Sequence, residues 1–274
     1  MAIAPRSQLQ SFSQQMISVL LATYNWPQAL KLCLESLSTQ TDLDFEIIIA
    51  DDGSTTTTKD LIEAIQKNFP VKITHLWQED QGFRKTRILN QAIQAAHGEY
   101  LVFLDGDCIV QPDFISQHRA LSQANHLVTG SRVLLNDELS KQLLLWTNWD
   151  FKKFTDNLLS SRLSGGINKY WPLKIKLGDG AWRNYKKFVW RRIKGCNMAC
   201  WKTDALAIGG FDETMTGWGH EDADFVFRLQ SKGLIRKSGS WATEVLHLYH
   251  RINDQSNAAE NARRVREKFL AKAR

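Results

Sequence analysis

The segment YLVFLDGD, residues 100–107, sets the fold class and marks the first candidate site. Its first five residues are apolar or aromatic, which predicts a strand buried on both faces, as in parallel sheets. The strand runs into Asp105 and Asp107, two positions apart, and Gly106 between them lets a ligand approach the backbone. Because divalent cations such as Mg²⁺ bind carboxylate oxygens, the segment predicts a metal site at the end of a buried strand, with an ordinary acidic turn as the alternative.

Upstream of this segment, strand patterns alternate with helix patterns. The sequence predicts strands at 17–22, 46–50 and 71–76. It also predicts three helices: one that begins after an N-cap at Asn25, one at 59–67 and one at 84–96. Strands joined by helices of about three turns predict βαβ units. We therefore expect an α/β fold with a mostly parallel sheet flanked by helices.

Polar residues follow three of these strands, and a parallel sheet presents such residues at one edge. They are Thr23 and Tyr24 after the first strand, Asp51 and Asp52 after the second, and Asp105 with Asp107 after the fourth. The first turn has no glycine-rich phosphate loop, so a bound nucleotide diphosphate needs a cation to neutralise it. The polar residues at these three strand ends therefore predict a binding site for a nucleotide diphosphate with its cation.

Two histidines and a basic segment add to this site. His247 and His250 close a predicted strand at 241–249, and we expect them to be metal ligands or else ordinary core or surface histidines. The start of the helix at 84–96 carries three basic residues, Arg84, Lys85 and Arg87. This pattern predicts an anion site, with a solvated first turn as the alternative.

The composition bounds the class of protein. The 274 residues are 43% apolar and 23% charged, as in soluble globular proteins. We expect one domain over 16–254, a disordered segment over 1–15 and a basic helix over 255–274. No stretch approaches the ~18 apolar residues of a membrane-spanning helix, and 1–15 lacks the core of a secretory signal. A cytoplasmic location with four reduced, buried cysteines is therefore expected.

The net charge of +6 is unevenly distributed. The segment 152–194 combines many Lys and Arg residues with Trp171, Trp182 and Trp190, and residues 263–274 are also basic. Such surfaces bind anionic membranes or nucleic acid, or are simply solvated. We expect peripheral contact with an anionic membrane, at its inner face, and no nucleic acid.

Several motifs, in order, resemble the family 2 glycosyltransferases of the GT-A fold. They are ISVLLATYN (17–25), IIIADDGS (47–54), QEDQGFRKTRILNQAI (78–93) and YLVFLDGDCIVQPDF (100–114). The segments KGCNMACWKTDALAIGGFDE (194–213) and GWGHEDADFVFRL (217–229) are similar to the C-terminal part of the galactosyltransferase and chondroitin-polymerase group. The resemblance implies a Rossmann-like GT-A domain with a nucleotide-sugar-binding half, 16–135, and a C-terminal acceptor-side extension, 136–254.

The resemblance also implies an activity. It is the inverting, metal-dependent transfer of a sugar from a nucleotide-diphosphate sugar, expected to be a UDP-sugar, to a glycan or lipid-linked acceptor. Mn²⁺ or Mg²⁺ is the implied cofactor, and bacterial surface polysaccharide or lipopolysaccharide synthesis the implied setting. Two alternatives remain: a sugar-nucleotide pyrophosphorylase, which needs a glycine-rich first loop with a basic residue, and a non-catalytic carbohydrate- or nucleic-acid-binding module.

By resemblance, site residues are assigned position by position. The nucleotide-binding residues are Thr23, Tyr24, Asp51, Asp52, Arg84, Arg87, Asp105 and Gly106. The metal ligands are Asp107 and His247, with His250 as the fallback. The residues implied to contact the donor sugar or the acceptor are Asn197, Trp218 and Glu221. One departure is His220, which stands where related enzymes often have glycine.

Asp222 is implied to be the catalytic base that takes a proton from the acceptor hydroxyl. The helix pattern from 221 to 232 agrees with this role, because Asp222 shares a face with the apolar Phe225, Val226 and Leu229. Asp224 can instead pair with Arg228, four residues later. The pattern therefore predicts a functional Asp222 and a structural Asp224.

Overall fold

Two β-sheets and the helices around them make up the described residues, 15–190, 193–251 and 257–273, of the computed structural model. The strands are β1 (Ile17–Thr23), β2 (Phe45–Asp51), β3 (Ile73–Trp77), β4 (Tyr100–Asp105), β5 (Cys108–Val110), β6 (His126–Thr129), β7 (Arg132–Leu134), β8 (Asn184–Tyr185), β9 (Asn197–Trp201), β10 (Ile235–Ser238) and β11 (Val245–His247). The predicted disordered segment 1–15 lies, apart from Gln15, outside the described residues.

The larger sheet has the order β3-β2-β1-β4-β9-β6-β10-β8. Strands β1 to β4 pair in parallel, β9 runs antiparallel between β4 and β6, and β10 is parallel to β6. The prediction of an α/β fold with a mostly parallel sheet is confirmed. Since β9 enters between β4 and β6, one sheet joins strands from both halves of the sequence.

Helices cover both faces of this sheet. They are α1 (Pro27–Ser38), α2 (Thr56–Gln66), α3 (Lys85–Ala95), α4 (Phe114–Leu121), α5 (Asp137–Leu144), α6 (Phe151–Asp156), α7 (Leu158–Leu163), α8 (Trp171–Lys174), α9 (Lys202–Ala207), α10 (Glu221–Ser231) and α11 (Ala258–Ala273). Val19 and Leu21 of β1 pack with Leu30 of α1, whereas Leu20 between them packs with Ile88 of α3. Burial of such a side chain contributes about 1.5–3 kcal/mol, and this two-sided burial explains why the strand has no polar alternation.

The predicted N-cap of α1 is wrong by one residue. Trp26 occupies the cap, and Asn25 has a left-handed backbone with a φ of 46°. Asn25 Oδ1 accepts a hydrogen bond from Thr55 N at 2.9 Å, and Asn25 N donates to Ser54 Oγ at 2.8 Å. Asn25 therefore ties the turn after β1 to the turn after β2.

Helix α5 and helix α6 are separate, because Asn136 and Asp150 each start a new helix by accepting a hydrogen bond from the N–H three residues on. One predicted strand is shorter than expected. The strand expected at 241–249 is reduced to β11, since a hydrogen-bonded turn at 239–243 precedes it.

The smaller sheet, in the order β5-β11-β7, carries part of the candidate site. Within it, His247 of β11 lies opposite Cys108 of β5. Leu248 N also donates to the carbonyl oxygen of Asp107 at 3.0 Å. Strand pairing therefore brings His247 beside the second aspartate of the DGD segment, 140 residues away in the chain.

The C-terminal helix α11 packs on α10. The ring of Phe269 contacts the rings of Phe188 and Phe227, and Lys268 Nζ lies 2.8 Å from Asp212 Oδ2. Among the described residues, no helix has both the length and the apolar composition that crossing a membrane requires.

Candidate active site

The polar ends of three neighbouring strands meet at one edge of the larger sheet. In the register of β1 with β2 and β4, Thr23 pairs with Asp51 and Ala22 with Asp105. Gly106 N donates to Ala22 O at 2.7 Å, and a Cβ on this glycine would lie 3.1 Å from the same oxygen. Glycine therefore lets the turn after β4 sit close against β1, and the structure has the predicted convergence.

Asp51 is fully buried at this edge. Its Oδ1 accepts a hydrogen bond from Ser54 N at 2.8 Å, and its Oδ2 lies 3.0 Å from Nε2 of His75. Both oxygens are thus engaged within the protein. The Asp51 carboxylate shapes the turn after β2, and its contact with a nucleotide stays a prediction.

Asp52 joins this turn to the loop that precedes α3. Gln78 Nε2 donates to its Oδ1 at 2.5 Å, and Arg84 N donates to its Oδ2 at 2.9 Å. Burial raises the pKa of Asp52, while these two hydrogen bonds oppose the rise. Tyr24 is half-exposed and donates its hydroxyl to Asp80 Oδ2 at 2.8 Å. An aromatic ring therefore lies open to solvent beside the same loop.

Lys85 is the basic side chain that reaches the strand ends. Its Nζ lies 2.5 Å from Asp105 Oδ1. Burial acts to lower the pKa of Lys85, but the Asp105 and Glu221 carboxylates more than offset it and hold the pKa above its ordinary value. Arg87 is exposed on α3, and it makes no contact with these carboxylates in the part of the chain described. The sequence singled out the basic segment but not Lys85 as its inward member.

Three side chains at this edge suit a divalent cation. Oδ2 of Asp107 lies 3.2 Å from Nε2 of His250 and 3.7 Å from Nε2 of His247, and ligand atoms of all three lie within 4.8 Å of one another. Burial lowers the pKa of His247, against the influence of Asp107, which favours the neutral imidazole that binds metals. One carboxylate with two imidazoles fits Mn²⁺ or a similar cation, and both histidines remain candidate ligands.

Asp222 begins α10 with its carboxylate fixed by backbone donors. Gly195 N donates to Oδ2 and Ala223 N to Oδ1, both at 2.7 Å. A Cβ on Gly195 would lie 3.0 Å from the Asp222 Cβ, so glycine allows this close approach without displacing Asp222. The sequence analysis did not assign Gly195 to the site. The available signal was its position within the segment 194–213, which resembles the galactosyltransferase group.

Glu221 lies beside Asp222 in the same electrostatic environment. Burial raises the pKa of Glu221 to about 7, and the Asp222 carboxylate adds to the rise while Lys85 opposes it. Its Oε2 accepts a hydrogen bond from Gly219 N at 3.1 Å. The start of α10 therefore presents one carboxyl group that titrates near neutral pH beside a second that is held in place.

Asp224 has the structural role that the sequence predicts. Its side chain is fully buried and lies 2.6 Å from Arg228 Nε and 2.7 Å from Lys268 Nζ. The Asp224–Arg228 pair is confirmed. Lys268 of α11 adds a second partner that the helix pattern could not show.

The loop before α10 holds Trp218, which is partly exposed. His220 follows it with a left-handed φ of 70°, a conformation that favours glycine. The His220 ring packs against Trp190 at 4.9 Å between centroids. Asn261 of α11 donates to Gly219 O at 3.1 Å, so the C-terminal helix supports this loop.

Asn197 lies in the interior of the larger sheet. Its side chain is fully buried, and its Nδ2 donates to the carbonyl oxygens of Ser131 and Thr243. Its Oδ1 lies 3.2 Å from Nε2 of His118. Because β9 runs through the middle of the larger sheet, Asn197 joins buried elements, and its contact with a sugar stays a prediction.

Two family models match the chain. The model described as glycosyl transferase family 2 matches residues 18–186. The model described as N-terminal domain of galactosyltransferase matches residues 181–251. These matches confirm both parts of the resemblance that the sequence motifs carry.

Curated relatives show the same similarity over most of the chain. It is 26% identical over 255 residues to validoxylamine A glucosyltransferase of Streptomyces hygroscopicus subsp. jinggangensis, covering 85% of this chain and 56% of that protein. It is 29% identical over 235 residues to chondroitin synthase of Escherichia coli, covering 81% of this chain and 33% of that protein. The chain thus spans only a third to about half the length of these relatives.

A solved structure shares the architecture. The mannosyltransferase PcManGT from Pyrobaculum calidifontis, in complex with GDP-Man and Mn²⁺, superposes with a TM-score of 0.63. The identity is 15%, over 94% of this chain and 64% of that chain. At this identity the similarity shows the fold alone, and it confirms the predicted GT-A architecture.

Proposed function

Because the chain belongs to glycosyl transferase family 2, we propose that it is an inverting, metal-dependent glycosyltransferase that uses a UDP-sugar and a glycan or lipid-linked acceptor. One observation carries the proposal: Asp107, His247 and His250 converge next to Asp105 at the end of β4, and Asp105 pairs with Lys85 of α3. These carboxylates and imidazoles can hold a divalent cation, and the cation would neutralise the diphosphate of a bound nucleotide.

On the donor side, each residue has a binding or positioning role. The nucleoside lies against Asp52, Thr23 and the exposed ring of Tyr24, and Lys85 orients Asp105 toward the ribose. Mn²⁺ or Mg²⁺, held by Asp107 with one or both histidines, supplies positive charge that stabilises the leaving diphosphate.

On the acceptor side, Asp222 is the proposed base. It takes the proton from the acceptor hydroxyl as that oxygen attacks the anomeric carbon opposite the leaving diphosphate, which inverts the configuration. The N–H groups of Gly195 and Ala223 fix the carboxylate in one orientation. Glu221 bonds another acceptor hydroxyl, and Trp218 offers a ring on which a sugar can stack.

Specific features weigh against the two alternatives. A pyrophosphorylase needs a glycine-rich first loop, whereas here the turn after β1 is tied down by Asn25. A non-catalytic binding module has no need of a carboxylate held at the start of α10 next to a metal-type group.

Nucleotide binding gives a direct test. With UDP and Mn²⁺ together at about 100 times the dissociation constant, we expect the free energy of unfolding to rise by about 2.7 kcal/mol. For a chain of this size, that increase raises Tm by about 5–10 °C. UDP without a divalent cation should give a much smaller shift in the same thermal scan. A larger response to GDP than to UDP would replace the proposed donor, and no response to any nucleotide with Mn²⁺ would contradict the transferase.

The proposed setting is bacterial surface polysaccharide or lipopolysaccharide synthesis by a cytoplasmic enzyme on the inner membrane face. The similarity to a chondroitin synthase supports a polysaccharide product. Leu145, Leu163 and Trp171 are 85%, 80% and 60% exposed, and Lys152 and Lys153 are exposed in the same region. This combination supports peripheral binding to an anionic membrane.

Helix α11 contributes less to a membrane surface than its sequence suggests. Arg263 and Arg264 pair with Glu260 of the same helix, and Lys268 pairs with Asp212 and Asp224. The membrane proposal therefore depends mainly on the segment 152–194 and on the exposed Leu145 that precedes it.

Liposome flotation tests the membrane proposal. We expect binding to anionic vesicles at low salt, at about 1 kcal/mol per basic residue near the surface, and weaker binding for Leu163→Gln. Leu206→Gln, at a half-exposed leucine on α9, is the matched control. If the wild type stays with the unbound fraction at low salt, the membrane contact is wrong.

A further inference from the structure

A cavity of about 410 Å³ is lined in part by Lys194, the residue before Gly195 of the candidate active site. Its walls come from the turn between β6 and β7, from residues 168 and 169, from the segment just before β9 and from the end of β10. Cavities of this volume hold small organic ligands. No role assigned above uses it.

Positive charge dominates the cavity wall. Arg132, Lys169 and Lys194 all line it, and none of the three has a carboxylate partner within 4.0 Å among the described residues. Burial lowers the pKa of Lys169, and the nearby charges of Arg132 and Lys194 lower it further. Three cations around one cavity repel one another, and a bound anion would relieve this repulsion.

The polar bonds that these residues do make are to neutral groups. Lys169 Nζ donates to Ser131 Oγ and to Arg132 O, both at 2.8 Å. Arg132 Nη1 reaches the sulfur of Cys196 at 3.9 Å. The carboxyl of Glu244 acts electrostatically on Lys169. Burial raises the pKa of Glu244, so this carboxyl offsets the positive charge less than a solvated one would. The positive charge therefore stays available to a ligand.

The cavity is joined to the proposed base through the backbone. Lys194 directly precedes Gly195, whose N–H donates to Asp222 at 2.7 Å. Cys196, which Arg132 contacts, follows Gly195 in the chain. A group bound in the cavity therefore lies on the Asp222 side of the site, where an acceptor would present its hydroxyl.

We infer that this cavity binds an acidic group of the acceptor, either the carboxylate of an acidic sugar or a phosphate ester, through Arg132, Lys169 and Lys194. This inference rests on the proposed function, since it names the class of substrate for the same site. Carboxylates and phosphates both accept charge-assisted hydrogen bonds from Arg and Lys, and these exceed neutral hydrogen bonds in strength. Acceptor selection then depends on charge as well as on shape.

Binding of small probes tests this inference. Methyl β-glucuronide, glucose 6-phosphate and the neutral methyl β-glucoside are titrated by NMR into the protein, with and without saturating UDP and Mn²⁺. UDP and Mn²⁺ occupy the donor site, so that glucose 6-phosphate cannot bind there and any binding reflects the cavity. We expect at least one acidic probe to bind ten-fold or more tightly than the neutral probe in the UDP–Mn²⁺ state.

Charge-removing variants locate the effect. Lys194→Gln should remove most of the preference for the acidic probe and leave UDP–Mn²⁺ affinity unchanged, whereas Lys174→Gln, at an exposed lysine outside the cavity, should leave both unchanged. Lys169→Arg should keep the preference, because it keeps the charge. The tighter acidic probe decides between carboxylate and phosphate.

The outcomes separate the two proposals. Equal binding of acidic and neutral probes, or a preference that Lys194→Gln leaves intact, overturns the inference about the cavity. Failure of UDP and Mn²⁺ to bind overturns the proposed function instead. In that case the glucuronide titration without nucleotide still decides whether the cavity selects an anion.

Discussion

Asp222→Asn should lower the rate of sugar transfer by about 10²- to 10⁴-fold, the range that a positioned general base contributes. Asparagine matches aspartate in size but cannot take the proton from the acceptor hydroxyl. The affinity for UDP and Mn²⁺ should not change, because Asp222 is bonded to Gly195 and Ala223 and not to the donor-side residues. Initial rates of UDP release with acceptor present, together with UDP affinity by calorimetry, measure the two effects.

Asp224→Asn is the matched control, two residues later on the same helix. Asp224 is fully buried between Arg228 and Lys268, so neutralising it leaves Arg228 without its carboxylate partner, whereas Lys268 keeps Asp212. Breaking a buried ion pair costs about 3–5 kcal/mol, and urea unfolding should show this loss. The rate per folded molecule should stay near that of the wild type. One variant thus loses rate and the other loses stability.

Glu221→Gln resolves the remaining ambiguity in the base assignment. Glu221 titrates near neutral pH, with a pKa of about 7, which also suits a general base. If Glu221→Gln loses the rate while Asp222→Asn keeps it, the two roles are exchanged. A wild-type rate in both variants would show that neither carboxylate removes the proton.

Asp107→Ala should abolish turnover together with the Mn²⁺-dependent stabilisation by UDP. The variant removes the oxygen that faces both His247 and His250, so the cation loses its carboxylate ligand. In the wild type, saturating UDP and Mn²⁺ should raise the free energy of unfolding by about 2.7 kcal/mol, and in the variant this increase should fall to near zero. Thermal scans over a range of Mn²⁺ concentrations, with UDP fixed, measure this loss.

Controls for this prediction come from the same chain. Asp60→Ala, at an exposed aspartate on α2, should keep the full metal-dependent shift. His247→Ala and His250→Ala are compared over the same Mn²⁺ range to show which imidazole binds the cation. The variant that has lost a metal-binding imidazole should need a higher Mn²⁺ concentration to reach the same thermal shift.

A different metal position would give a different result. Cys108, Cys196 and His247 also have ligand atoms within 4.8 Å of one another. If Asp107→Ala keeps the metal-dependent shift and Cys108→Ala loses it, the cation binds at this second group. The assignment of Asp107 would then be wrong.

The sequence by itself determined the first half of the fold and the edge at which the site lies. Unbroken apolar runs such as 100–104 require burial on both faces, and the helices between them force parallel pairing. Parallel strands in turn bring Thr23, Asp52 and Asp105 together without any knowledge of side-chain contacts. The pairing of Asp224 with Arg228 was equally readable, because residues four apart on a helix are neighbours.

Only the tertiary structure decided which members of each motif face the site. Lys85 rather than Arg87 reaches Asp105, because packing of α3 on the sheet fixes its rotation. Asn197 is buried because β9 inserts antiparallel between β4 and β6, an arrangement that no local pattern encodes.

The contacts that complete the site span long stretches of chain. His247 and His250 meet Asp107 through the pairing of β11 with β5, and Gly195 reaches Asp222 across 27 residues. The basic cavity likewise gathers Arg132, Lys169 and Lys194 from three separate segments. Local periodicity reports burial and secondary structure, whereas these distances depend on how the two sheets pack together, which is a property of the whole chain.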